Sequence, residues 1–219
     1  MKKLFCINTI TNFKEIIYDP FGVPFMKKYP DIEIYNILDD TLLKEVTLND
    51  GVTSSVIRRM YNYSMSAVEY GADCIMCTCT SLNTAANALK DIIPVPIFDI
   101  DEPVARQAVQ TGKRIGVLAT LPTSPKAIIK TINAEAAKAG KSVEVITKIA
   151  EGAFDVLSAG DRNKHDEMVC QQLYALAHEV DVIAFAQISI GLLKHDTCSV
   201  PILKIGESGY EYARKLMGI

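Results

Sequence analysis

Four short segments from the first half of this 219-residue chain recur, in the same order, in its second half. Leu4–Thr9 is echoed by Ile115–Thr120, and Asp31-Ile-Glu-Ile by Ser142-Val-Glu-Val, both at an offset of 111 residues. Asp73-Cys-Ile-Met-Cys-Thr-Cys-Thr-Ser is echoed by Asp181-Val-Ile-Ala-Phe-Ala-Gln-Ile-Ser at 108. Val95-Pro-Ile-Phe-Asp-Ile-Asp-Glu is echoed by Val200-Pro-Ile-Leu-Lys-Ile-Gly-Glu at 105. One such match can arise by chance; four in register indicate duplication. The chain is expected to form two similar lobes, 1–110 and 111–219, with the terminal helix free to cross back onto the first.

The repeated segments are short, apolar and β-branched, which marks them as strands. Strands are expected at Lys3–Thr9, Asp31–Ile37, Asp73–Thr78, Val95–Ile100, Arg114–Ala119, Ser142–Thr147, Asp181–Ala186 and Val200–Ile205. Helical spacing lies between them. Val52, Val56, Met60, Tyr63 and Ala67 suit a helix over 52–70, and Val169, Leu173 and Leu176 one over 165–179. Such alternation predicts an α/β fold of two duplicated Rossmann-like (flavodoxin-like) lobes with mostly parallel sheets. A pseudo-twofold axis should relate the lobes, with an active-site cleft between them.

Composition narrows the class of protein. Hydrophobic residues make up 49% and charged residues 22%, with a net charge of −3, so neither disorder nor a nucleic-acid footprint is expected. Lys2-Lys3 before Leu4–Ile7 imitates the start of a signal peptide, but the apolar run ends at Asn8. No run approaches membrane-spanning length. A cytoplasmic protein with no membrane partner is expected, its six cysteines reduced.

In open parallel sheets ligands bind beyond the carboxyl ends of the strands. The residues there are Asn8-Thr9, Cys79-Thr80-Ser81, Asp99–Glu102, Thr120–Ser124, Gln187–Ser189 and Gly206–Ser208. No strand is followed by a Gly-rich dinucleotide fingerprint or a P-loop, so no cofactor is expected. Cys79 stands out. It falls where a strand gives way to a helix expected over Leu82–Lys90, and free N–H groups at a helix start stabilise a thiolate or bind a carboxylate. Thr80 and Ser81 can cap that helix and present donors to a ligand. Cys74 and Cys77, inside the strand, read as core. Cys74 also faces away from Cys77 and Cys79 by alternation, which argues against a zinc site. His165, His178 and His195 read as surface or helix-capping residues. Asp50, Asp99, Asp101, Glu102 and Glu207 read as solvated loop charges.

With these residues the chain resembles the aspartate/glutamate racemase superfamily, whose relatives include hydantoin racemases, maleate isomerases and arylmalonate decarboxylases. The resemblance rests on the duplicated lobes, Cys79-Thr80-Ser81, the strand Ile115-Gly-Val-Leu-Ala-Thr120, and the second-lobe strand at 181–189. It implies a cysteine after the third strand of each lobe, the two thiols flanking the carbon next to a substrate carboxylate. It further implies carboxylate-binding roles for Asn8, Thr80, Ser81, Thr120 and Thr123 beside the catalytic Cys79. One departure is plain: the duplication puts Gln187 where the second cysteine belongs. An amide is no proton-transfer base near neutrality. Cys198 lies at the wrong end of its strand to replace it.

The residues therefore point to a single-thiol enzyme acting on a small carboxylate by proton transfer, isomerisation or decarboxylation. Cys79 would be general acid/base or nucleophile, with Gln187 and Ser189 binding a carbonyl or carboxylate oxygen and Thr9 beside them. Two alternatives stand: an amino-acid or hydantoin racemase with another second base, and a binding protein without turnover. No arginine clamp is expected at a strand end. A homo-oligomer is the default assembly.

Overall fold

The computed structural model describes residues 1–122 and 124–219. They form two compact units, Met1–Glu102 with Gly206–Ile219, and Pro103–Ile205. The chain changes unit at Glu102/Pro103, and its C-terminal helix is part of the first unit.

In the first unit β1 (Lys2–Asn8), β2 (Ile32–Leu38), β3 (Cys74–Cys77) and β4 (Ile97–Asp99) make an all-parallel sheet in the order β2-β1-β3-β4. Strand alternation gives it two apolar faces. Phe5, Ile7, Ile75, Cys77 and Ile97 lie in one core with residues of α2 (Thr41–Leu48), α3 (Ser54–Glu69) and α4 (Asn83–Leu89). On the other face pack α1 (Val23–Lys28), the π-helical stretch Lys14–Gly22 before it, and the C-terminal helix Glu207–Leu216. There Tyr212 meets Phe98 edge-on at 5.0 Å and Tyr210 lies 5.3 Å from Phe25. The third helix starts at 54 rather than 52 because the Thr53 hydroxyl accepts the Val56 N–H at 3.2 Å, a side-chain cap.

The second unit repeats the plan. Its strands β5 (Arg114–Ala119), β6 (Glu144–Ile149), β7 (Val182–Phe185) and β8 (Ile202–Leu203) are parallel in the order β6-β5-β7-β8. Helices α5 (Glu102–Thr111), α6 (Ser124–Lys138), α7 (Ala153–Ser158) and α8 (Arg162–Ala177) accompany them. The duplication reaches the register. Leu4 pairs with Ile34 and Cys74, as Ile115 pairs with Val145 and Val182. It also reaches single hydrogen bonds. Asp73 accepts the Lys3 N–H at 2.8 Å, and Asp181 accepts the Lys113 and Arg114 N–H groups, each at 2.8 Å. Strands expected to be longer are trimmed at their ends, β3 to four residues and β8 to two.

Two glycines mark close approaches. A Cβ on Gly116, within β5, would come 2.8 Å from the Leu176 side chain of α8. Gly206 opens the C-terminal helix at φ +123°, and a Cβ there would sit 2.6 Å from the Phe21 ring. Gly206→Ala therefore combines backbone strain with overpacking, a loss of about 3 kcal/mol. A melting midpoint roughly 5–10 °C lower is expected by calorimetry. Gly51→Ala, with nothing within 4 Å of the new Cβ, should leave the midpoint near the native value.

Candidate active site

In the first unit a candidate corner is built from the ends of β1 and β3. Asn8, fully buried, is a strut. Its amide N–H2 lies 3.0 Å from Asn36 Oδ1 and 3.3 Å from the Cys6 carbonyl, while its Oδ1 accepts the Thr78 hydroxyl at 2.9 Å. That ties β1 to the segment after β3. Thr78 and Cys79 continue beyond the strand, and Cys79 stays extended at φ −124°, ψ 107° before the 3-10 turn Thr80–Leu82 leads into α4. A sharp turn there is what presents Cys79 at the sheet's edge. Its thiol is half-buried. Burial raises the thiol above its ordinary range, and hydrogen bonds from the Thr9 hydroxyl and from the Ser81 N–H and hydroxyl pull it back down. Thr9 is itself buried, Thr80 is half-buried and Ser81 exposed. Beside Thr9 opens a pocket of about 700 Å³ whose walls include Ile10, Leu43 and Leu48.

The second unit builds the equivalent corner differently. Gln187 is also extended, at φ −142°, ψ 144°, and also precedes a 3-10 turn, Ile188–Ile190. Its Oε1 accepts two hydrogen bonds from Thr120, the backbone N–H at 2.7 Å and the hydroxyl at 3.1 Å. A backbone N–H can only donate, so this pairing fixes the amide orientation and turns its NH2 end away from Thr120. Two residues expected to act separately on a ligand are thus a bonded pair. Ser189 is half-buried, and Arg162 Nη1 donates to its carbonyl at 3.5 Å. Thr123 lies outside the described residues.

A family model for Asp/Glu/hydantoin racemases matches residues 49–196, more than half of the chain, a span that includes both Cys79 and Gln187. The chain belongs to that family. Solved structures agree in fold. A protein assigned as an Asp/Glu racemase from Yersinia pestis is 20% identical, with TM-score 0.76 and all of both chains covered. An aspartate racemase homologue from Pyrococcus horikoshii OT3 is 18% identical with TM-score 0.73, over all of this chain and 98% of that one. Allantoin racemase from Klebsiella pneumoniae is 14% identical with TM-score 0.70, over all of this chain and 88% of that one. No curated protein matches the chain by sequence.

Against this racemase-family background, several charged groups depart from expectation. Asp99, Asp101 and Glu102 are not solvated loop charges: they are 0%, 0% and 3% exposed. The chain folds straight from β4 into α5, so all three sit under α4, where Asn83 donates to Asp101 at 3.1 Å and Lys90 pairs with Glu102 at 2.7 Å. Asp50 and Glu207 are exposed, as expected. His165 is neither surface nor cap. It continues the inner stripe of α8 formed by Val169, Leu173 and Leu176, is fully buried, and holds Asp166 Oδ1 at 2.7 Å through Nδ1. Its Nε2 has no hydrogen-bond partner. A stripe extended one turn earlier, to 165, was the signal in the sequence. Arg59 is committed to Asp39 and Glu45, each at 3.2 Å, and Arg106 to Glu135 at 3.0 Å. Among the described residues no group of three or more His, Cys, Asp or Glu could hold a metal, and no helix is long and apolar enough to cross a membrane.

Proposed function

We propose that this racemase-family protein acts on a small carboxylate without a cofactor, at the carbon next to the carboxyl group, through the single thiol of Cys79. The observation that carries this reading is the half-buried thiol of Cys79 on extended backbone beyond the end of β3, immediately before the Thr80–Leu82 turn. Burial still leaves the thiol above its ordinary range, and the Thr9 and Ser81 donors offset part of the cost of the thiolate, the form that takes a proton or attacks carbon. In this reading Gln187, bonded to Thr120 at the equivalent corner of the second unit, is a binding residue and not a proton carrier, since an amide is no base near neutrality. Thr80, Ser81 and Ser189 supply further donors, and Asn8 and Thr9 hold Cys79 in place. The apolar walls beside Thr9 suit a substrate with a hydrocarbon substituent. We place the protein in the cytoplasm as a homo-oligomer without nucleic-acid or membrane partners, a setting that six free thiols suit.

The test follows from the chemistry of thiols. Cys79 should be alkylated at least about tenfold faster than Cys6, Cys74 and Cys77, which are buried. A small dicarboxylate should protect it, read by peptide-resolved mass spectrometry. Equal labelling of all six cysteines, with no protection by any carboxylate, would sink the reading.

One observation favours a second reading, racemisation with another base. The Gly116–Leu176 contact fixes the level of α8 on β5. His165 lies eleven residues earlier on a helix running back against the strands, about 16 Å toward their carboxyl ends. The start of α8 lies by the carboxyl end of β7, where Arg162 Nη1 donates to the Ser189 carbonyl at 3.5 Å, and one turn on, among the described residues, the buried His165 Nε2 has no hydrogen-bond partner. His165 is then the candidate second proton carrier.

A further inference from the structure

Asp99 sits in a row of groups that no part of the proposed chemistry uses. In the parallel pairing of β3 with β4, Cys77 and Asp99 are partners, so their side chains share a face of the sheet. Cys79, two residues past Cys77 and still extended, and Asp101, in the turn that follows β4, both act on Asp99 through their charges. The row therefore sets two thiols beside two carboxyls, with Glu102 at the start of α5 completing it.

Asp99 is fully buried, and among the described residues its Oδ2 has no hydrogen-bond partner. Its Oδ1 receives a long contact, 3.5 Å, from the Asp101 N–H, and the Cys77 thiol engages the same carboxyl. The cation on α4, Lys90, is committed to Glu102, and Glu102 also accepts the Asp99 N–H at 3.1 Å. A carboxylate oxygen buried without a partner is far costlier than a buried carboxylic acid.

We propose that Asp99 is a positioning residue for Cys79: held as the neutral acid, it shares one negative charge with the thiol, so that the Cys79 thiolate forms readily only while Asp99 keeps its proton. Burial, then the charge of Asp101, then that of Cys79, hold the Asp99 carboxyl well above the ordinary range. The same burial, with the Asp99 charge second, raises the neighbouring Cys77 thiol. In proton terms the pair loses its first proton from either oxygen or sulfur. The second is retained to higher pH, because two negative charges would then face each other across a dry strand pair.

This inference rests on Cys79 being the working thiol, but its test reads the thiol itself and not turnover. The measurement is the rate of Cys79 alkylation by iodoacetamide, resolved by mass spectrometry, from mildly acidic to alkaline pH. The native protein should show two steps. Asp99→Asn keeps the shape of the neutral acid and cannot take up the shared charge, so it should show one step close to the first native step, with the second, higher-pH step gone. Between the two native steps the variant should label faster than the native protein, because its thiolate no longer shares the charge with a carboxyl. Asp99→Ser removes the same charge and stands in if the Asn variant does not fold. A single native step with the same midpoint in the variant overturns the proposal. Should neither variant fold, the native profile decides alone, two steps for the coupling and one against it. Turnover surviving in Cys79→Ala would instead defeat the functional reading while leaving this coupling measurable.

Discussion

Cys79→Ala is expected to lower kcat by about 10³-fold or more, while the affinity for a bound carboxylate changes only a few-fold. General acid/base groups contribute roughly 10²–10⁴ in rate, and a nucleophile whose loss removes the intermediate contributes at least as much. The separation of kcat from binding follows from the geometry. The carboxylate-binding donors proposed here are N–H and hydroxyl groups of the 3-10 turns and the NH2 end of Gln187, which the substitution leaves in place. Cys79 is half-buried and outside a strand, so removing one sulfur should cost little stability. Single-turnover kinetics with each carboxylate that protects the native thiol, beside calorimetric titration of the same ligand, separate the two effects. A variant that binds and turns over normally would remove Cys79 from the chemistry.

The parts of the molecule legible in the sequence were those written by period and repetition. The eight strands, their parallel pairing and the identical plan of the two sheets follow from apolar runs that recur at offsets of 111, 108 and 105 residues. The position of Cys79 just past a strand was legible for the same reason, since alternation and strand length bracket where the sheet ends. What escaped was everything decided by contacts between distant segments. Asp99, Asp101 and Glu102 read as loop charges because acidic residues after a strand usually face water. Only the folding of α4 over the end of β4 buries them. His165 was set aside because periodicity from Val169 onward does not require the stripe to extend backward another turn. The Gln187–Thr120 pairing was hidden too: both were named, but no sequence pattern shows that one residue's donors are taken up by the other.

That pairing makes Gln187→Cys the sharpest test of the single-thiol mechanism. The native protein is expected to show no efficient racemisation of aspartate or glutamate, because inversion needs a proton delivered to the face opposite its removal and an amide cannot deliver one. The substitution places a thiol at the position that the duplication equates with Cys79, on backbone of the same extended conformation. It also releases the Thr120 N–H and hydroxyl from Gln187 Oε1, giving a substrate carboxylate two donors that the native side chain occupies. Loss of those two hydrogen bonds should cost about 1–3 kcal/mol of stability, within reach of a folded variant. If the two corners flank one substrate, Gln187→Cys should gain racemisation by about 10²-fold over native, with deuterium from D2O entering the inverted product. Chiral chromatography with mass detection reads both quantities. A native protein that already racemises quickly would mean that a second base is present, and His165→Asn then becomes decisive. Loss of inversion with exchange retained on one face would identify His165 as the proton carrier for the other, whereas unchanged inversion would exclude it.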